Sequence, residues 1–353
     1  MSRRAIVVAA ALLSACTLQR SQPGAPGQAL KSSAVPSAMP ADEHIAHMSA
    51  ADLVAPDRRM AGTAQQDRPG LPASAMNAAA RLQASPRHGE WVKIAWEQGS
   101  ADSLMAWVVY PSAPNSRTKA PVVIVVHEIF GLSTWVRGVA DQVAADGFIA
   151  VAPDFLSRVR GGPSTVELPA DTARRLIQGV NSAERNKAIS AAANYAMMLP
   201  AAEQRYAVIG YCWGGQTVFM HAVNGGVKGF SGGVAFYGAP YSRGGRPATA
   251  TEPAVPATVD GDSLAKIKAP VMLLNGAKDV RIAASMPAID SIMKAQKKQY
   301  TGVNYDGATH GFLRSQDDPR NPRDEATEAA DLAATKDAWP RTIAFLKKNL
   351  GVK

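Results

Sequence analysis

Residues 205–222 read RYAVIGYCWGGQTVFMHA. The apolar run Tyr206-Ala207-Val208-Ile209 has the pattern of a strand buried on both faces, and residues 216–222 can form a helix. Between them stand Gly210-Tyr211-Cys212-Trp213-Gly214-Gly215. This G-x-nucleophile-x-G spacing suits a very sharp strand-to-helix turn. The central residue takes a strained backbone conformation, and neighbours without a Cβ avoid a clash. A thiol there faces the positive end of a helix, which favours the thiolate. The N–H of Trp213 would point at a developing oxyanion. A tight turn around an inert buried thiol fits the same glycines, so the rest of the chain must decide between the two.

Outward from this stretch, strand and helix signals alternate. Residues 90–96 and 103–110 alternate in polarity around Gln98-Gly99-Ser100 and predict a β-hairpin. Solid apolar runs at 121–126 and 148–152 predict buried strands, with a helix over 135–145 between them. Helices are expected over 171–180 and 182–199, then the stretch quoted above, then strands at 234–237 and 271–275. A helix over 283–297, a strand over 301–305 and a closing helix over 335–350 complete the pattern. This is α/β order: a mostly parallel, doubly wound sheet with helices on both faces, binding ligands at the carboxyl ends of its strands.

Two loops at such strand ends carry chemistry. Residues 271–275 lead into Gly276-Ala277-Lys278-Asp279, and residues 301–305 lead into Gly307-Ala308-Thr309-His310-Gly311-Phe312. Nucleophile, acid and histidine therefore occur in the chain order Cys212, Asp279, His310. His310 would take the thiol proton and later activate water, while Asp279 fixes the imidazole tautomer. His221, the other histidine downstream of Cys212, lies within the helix after the turn and is expected to face away. A further loop, His127-Glu128-Ile129-Phe130-Gly131-Leu132, follows the strand at 121–126. It would bring Glu128 beside the nucleophile and offer the Ile129 N–H as a second oxyanion donor with that of Trp213.

Taken together, GYCWGG, the KD after a strand, THGF and HEIFGL resemble the dienelactone hydrolase family of α/β-hydrolases, over about residues 91–350. The resemblance implies an α/β-hydrolase fold with Cys212 as nucleophile, Asp279 and His310 as acid and base, and acyl transfer through a thioester without metal or cofactor. It implies that Glu128 hydrogen-bonds the resting thiol and helps to activate it when substrate arrives. It also implies that Arg314, four residues past the histidine, binds a substrate carboxylate, for which a bidentate guanidinium is suited. Tyr211 and Phe312 join Arg314 as candidate substrate contacts. Arg174 and Arg175 are candidates for a second carboxylate-binding arginine. The Pro- and Ala-rich segment 241–262 is longer than the family's usual connection and could serve as a lid.

The N-terminus reads MSRRAIVVAAALLSAC. A basic start and a short apolar core predict a secretory signal peptide over residues 1–15. Leu13-Ser14-Ala15-Cys16 resembles a lipobox, which predicts lipidation of Cys16; an ordinary cleavage site that happens to contain Cys16 is the alternative. Multiple acyl chains on Cys16 would anchor the protein stably at the periplasmic face of a bacterial envelope. Residues 16–85, rich in Ala, Pro and Ser, are expected to form a tether, and 86–353 a single hydrolase domain, monomeric by expectation. His44 and His47 have a chelating spacing, but no Cys or acidic cluster completes a site. Cys16 and Cys212 are the chain's only cysteines, and the formal charge is +9 with Lys and Arg scattered along 353 residues. Scattered basicity does not point to nucleic acid. The expected partner is a small ester or lactone. Thioester or peptide cleavage on the same triad, and a non-catalytic ligand-binding role, are the alternatives.

Overall fold

The computed structural model describes residues 68–97, 99–112, 119–164, 168–243, 258–316 and 324–352. Cys16, His44, His47 and the predicted signal and tether up to residue 67 lie outside these residues, as does most of the candidate lid.

In chain order the elements that position the site are α1 (Ala78–Gln83), β1 (Gly89–Ala95), β2 (Ser103–Val109), β3 (Ala120–Val126), α2 (Thr134–Ala145) and β4 (Ile149–Pro153). Then come α3 (Ser157–Arg160), α4 (Ala170–Gln178), α5 (Ser182–Met197), β5 (Ala202–Tyr211), α6 (Trp213–Val223) and β6 (Phe230–Phe236). After these follow β7 (Ser242–Arg243), β8 (Thr258–Val259), α7 (Gly261–Leu264), β9 (Val271–Gly276), α8 (Val280–Ala295), β10 (Tyr300–Tyr305), α9 (Phe312–Ser315) and α10 (Glu325–Leu350). Among the described residues the main sheet has eight strands in the order β1-β2-β4-β3-β5-β6-β9-β10. Strands β4 to β10 of that order are parallel, and the β1–β2 hairpin joins antiparallel at one edge. This is the expected α/β sheet.

The central strands are apolar along their whole length because both faces are covered. Val122 to Val126 and Ala207 to Ile209 are fully buried. Helices α5 and α6 pack against each other over β3, β4 and β5, while α2 and α10 pack on β4 and on β5 and β6 respectively. His221 is buried in α6, as the sequence suggests. The Tyr206 hydroxyl accepts from the Val227 N–H and donates to His221 Nε2 at 2.8 Å, and His221 Nδ1–H donates to Asn186 Oδ1 at 2.7 Å. Burial pushes His221 down to about 3, so it stays a neutral link in that chain.

The closing helix starts about ten residues before the expected position. Asp324 caps it by accepting from the Thr327 N–H at 2.7 Å, which fixes the start inside an Ala- and Glu-rich run with no apolar stripe to advertise it. Segment 241–262 begins and ends in a two-stranded ribbon, β7 with β8, held also by the Asp260 N–H on the Tyr241 carbonyl.

The folded part also reaches further toward the N-terminus than the expected start near residue 86. Ala73, Ser74 and Ala78 are buried. Trp135 Nε1 donates to the Ala73 carbonyl at 2.9 Å, Gln316 Nε2 donates to the Pro72 carbonyl at 3.0 Å, and the Ala75 N–H donates to the Arg314 carbonyl at 3.0 Å. Arg81 ties the Leu71 carbonyl to Gln142, and Arg87 pairs with Asp141 on α2. This strap crosses α2 and holds α9, the short helix that carries Arg314. A fragment beginning at residue 89 leaves the Trp135 donor without its partner, at about 1–3 kcal/mol, and takes from Gln316 and Arg314 their contacts with the strap. Its melting midpoint should fall below that of a fragment beginning at residue 68 by roughly 5–10 °C, at about 2–4 °C per kcal/mol for a chain of this size. Equal midpoints would remove the structural role of the strap.

Candidate active site

At the end of β5 the chain turns into α6 through Cys212, whose φ of 58° and ψ of −118° lie where L-residues rarely sit. The turn is forced by close backbone approach on both sides. A Cβ on Gly210 would lie 2.3 Å from the Gly214 carbonyl oxygen, and one on Gly214 would lie 2.4 Å from that of Val126. The Cys212 N–H donates to the Phe236 carbonyl at 3.0 Å, and the Cys212 carbonyl accepts from Gln216 as α6 begins. Cys212 is fully buried. The first N–H groups of a helix have no intrahelical acceptor, so the Trp213 amide is available at the foot of the turn.

The loops after β9 and β10 meet this turn. Lys278 donates its N–H to the Ala308 carbonyl, and a Cβ on Gly276 would sit 2.3 Å from the Thr309 carbonyl oxygen, so the two loops are fitted to each other. Asp279 caps α8 through Oδ1 and binds His310 Nδ1 through Oδ2 at 2.6 Å. With Nδ1 so engaged, Nε2 is the ring nitrogen left to face Cys212, whose charge acts on the imidazole. Asp331 on α10 steadies the loop from behind by accepting from the Thr309 N–H and hydroxyl. Burial opposes a charged His310, but the Cys212 charge and the Asp279 carboxylate outweigh it and hold the imidazole well above its ordinary value. The three sequence-predicted residues are thus brought together, with Asp279 hydrogen-bonded to His310 and Cys212 within electrostatic reach of its ring. Such a cluster can carry a proton.

Glu128 and Arg314, 186 positions apart, are both buried and pair through Arg314 Nη1 and Glu128 Oε2 at 3.3 Å. The guanidinium also lies 5.7 Å from the Phe130 ring centroid. Ile129 is fully buried between them in sequence. Tyr211 is buried against Trp135 and Phe236, and Phe312 against Phe236, Tyr237 and Tyr305.

The sequence reading missed three neighbours. Tyr237, at the carboxyl end of β6, lies tilted against His310 with ring centroids 4.9 Å apart and feels the charges of Glu128, Arg314 and Cys212. Burial first, and the Glu128 charge second, push the Tyr237 and Tyr211 phenols well up, so both remain neutral donors. Their hydroxyls are buried without a hydrogen-bond partner among the described residues. Position directly after a buried strand was the available signal for Tyr237. Arg185 places its guanidinium 4.2 Å from the Trp213 ring and donates to Gln216 Oε1 at 2.9 Å. The third is His127, whose ring stacks on that of Trp213. Arg174 and Arg175 are not gathered into this cluster. Each bonds its own helix, Arg174 to Asp171 and Arg175 to Thr172. Among the described residues no group of three or more His, Cys, Asp or Glu is placed to hold a metal ion.

The sequence profile of the dienelactone hydrolase family matches residues 105–350. A Synechocystis sp. protein named "Putative carboxymethylenebutenolidase" is 30% identical over 245 residues, 68% of this chain and 91% of the relative. Of solved structures, the "Putative Dienelactone Hydrolase" from Klebsiella pneumoniae aligns with a TM-score of 0.57 at 24% identity, covering 74% of this chain and 99% of that one. A dienelactone hydrolase-like promiscuous phosphotriesterase from metagenomic libraries aligns with a TM-score of 0.53 at 21% identity, covering 72% and 98%. These two likenesses speak to the fold.

Asp279→Asn removes the charge that supports a protonated His310 and leaves the thiolate less stabilised. The rate at which iodoacetamide alkylates Cys212 at neutral pH should fall by about tenfold. An unchanged alkylation rate would mean that Asp279 does not act on the thiol through His310.

Proposed function

Because the chain belongs to the dienelactone hydrolase family, we propose that it hydrolyses a carboxylic ester or lactone with Cys212 as nucleophile, His310 as base and acid, and Asp279 as the group that holds the imidazole. The observation that carries this reading is the Asp279–His310 hydrogen bond, whose imidazole is raised by the charge of Cys212 on a strained turn.

Cys212 Sγ attacks the acyl carbon and its proton goes to His310 Nε2. Negative charge gathers on the carbonyl oxygen, where the amides of Ile129 and Trp213 receive it. The acyl–oxygen bond then breaks, and His310 returns the proton to the leaving oxygen. In a lactone that oxygen stays tethered to the acyl group. A water that gives its proton to His310 attacks the thioester, the carbon–sulfur bond breaks, and the carboxylic acid departs. No other reactant is needed.

The Glu128–Arg314 pair suggests how the pocket favours substrates that carry a carboxylate. A substrate carboxylate would compete with Glu128 for the buried guanidinium. Glu128, losing its counter-charge beside the thiol, would then help to remove the thiol proton. The buried Tyr211 and Tyr237 hydroxyls would donate to the same substrate. A thiolate raised only when substrate is present is protected from oxidation between turnovers.

Small aryl esters and an enol-lactone carboxylate should be turned over by the wild type and not by Cys212→Ala. Arg314→Met should raise KM at least about tenfold for the enol-lactone carboxylate, in line with loss of a charge-assisted contact. The same change should leave KM for a neutral aryl ester within about threefold. Equal effects on both substrates would remove the carboxylate role of Arg314, and turnover surviving in Cys212→Ala would overturn the nucleophile.

We also propose that residues 1–15 direct export and that Cys16 carries lipid, which would hold the enzyme at the periplasmic face of the envelope. The support is the basic–apolar–lipobox order of the first sixteen residues. Expressed at full length in a bacterial host, the wild type should sediment with membranes, and Cys16→Ser should move to the soluble periplasmic fraction. Membrane association that ignores this substitution would contradict the anchor.

A further inference from the structure

His127 sits at the end of β3, one residue before Glu128, and is fully buried. Both of its ring nitrogens are engaged. The Phe155 backbone N–H, which can only donate, lies 3.1 Å from His127 Nε2, so Nε2 must be the acceptor. The ring proton is therefore on Nδ1, and Nδ1–H donates to the Glu128 carbonyl at 2.6 Å. The tautomer is fixed by a main-chain group on a different element, beyond β4. The Glu128 carbonyl also accepts from the Gly131 N–H at a longer 3.4 Å.

That carbonyl shares a peptide plane with the Ile129 N–H. In a trans peptide the two point in opposite directions, and the protein has no cis bonds among its described residues. Whatever turns the Glu128 oxygen toward the His127 ring turns the Ile129 N–H away from it. The same ring lies flat on the Trp213 indole, with centroids 5.8 Å apart and planes 9° apart. Phe155 closes edge-on against both rings. One imidazole thus touches the peptide that supplies one oxyanion donor and the side chain of the residue that supplies the other.

We propose that His127 is a positioning residue for the oxyanion hole: by holding the Glu128 carbonyl it aims the Ile129 N–H, and by stacking on Trp213 it keeps the two amides in register. This rests on the hydrolase reading above and deepens it. His127 does not touch substrate. Burial pushes its ring down to about 4, so the Nδ1–H tautomer persists through the neutral range and the aim of the amide does not change with pH there. Asp154, whose Oδ1 lies 4.0 Å from His127 Nε2, also faces the ring, and its carboxylate accepts from Leu156 and Ser164.

Three variants separate aim from bulk. His127→Phe keeps the ring and removes the donor. His127→Asn keeps a donor near the Nδ1 position and loses the far acceptor. His127→Gln keeps an acceptor near the Nε2 position and loses the near donor. Loss of a whole oxyanion donor costs about 10²–10³ in kcat, so misdirecting one should lower kcat on an aryl ester by roughly 10- to 100-fold in His127→Phe and His127→Gln. His127→Asn should retain more kcat than His127→Gln. KM should stay within about threefold in each. Alkylation of Cys212 by iodoacetamide uses the thiolate and no oxyanion hole, so its rate should stay within about twofold of wild type in any folded variant. Alkylation that falls in step with kcat would make His127 a general structural residue and overturn the inference, as would His127→Gln outperforming His127→Asn, or kcat unchanged in both. If His127→Phe does not fold, the Asn–Gln comparison decides. A wild type without esterase activity defeats the hydrolase reading and this inference together. An active wild type with insensitive variants defeats this inference alone.

Discussion

Everything at this site hangs on one backbone constraint: a cysteine held at positive φ where β5 becomes α6. An L-residue in that region costs of the order of 1–3 kcal/mol and persists only when its surroundings over-determine it. Here they do. The Gly210 and Gly214 contacts leave no room for a Cβ, and the Phe236 carbonyl fixes the Cys212 amide from the neighbouring strand. The result lifts the thiol off the end of the sheet and starts a helix directly behind it. The ends of β3, β6, β9 and β10 then need only deliver short loops to the same edge of the sheet.

The electrostatics follow from that placement. Cys212, His310, Asp279, Glu128 and Arg314 are all buried, and four of the five are partnered with one another in two pairs of opposite character. Buried charges are tolerated when each is neutralised and hydrogen-bonded. His310 illustrates the balance. Burial alone would discharge it, yet the thiol and the Asp279 carboxylate more than compensate. The Glu128–Arg314 pair neutralises a carboxylate that would otherwise stand buried without a counter-charge.

Much of this was legible in the sequence, for physical reasons. Strands buried on both faces announce themselves as unbroken apolar runs, and catalytic groups sit on the loops directly after them. Cys212, Asp279, His310 and Glu128 could therefore be placed by counting elements. Other features left no such trace. The strap at residues 71–84 reads as tether because it is held by small residues and main-chain carbonyls, with neither period to betray it. Arg174 and Arg175 lay in a plausible region, but helix α4 turns them onto their own Asp171 and Thr172. Tyr237 and Arg185 reach the site only through packing between elements that sequence spacing does not reveal. The role of His127 needs a tautomer, and that is set by an amide 28 positions away.

The central claim is that Cys212 carries the acyl group during turnover. The direct measurement is mass spectrometry of the full chain quenched in acid within its first turnovers on an activated aryl ester, followed by peptide mapping. The account predicts a mass increase equal to the acyl group on the peptide containing Cys212, lost on treatment with neutral hydroxylamine and absent in Cys212→Ala. An acyl group on any other residue during productive turnover, or steady wild-type hydrolysis with no adduct on Cys212 at any quench time, would contradict it.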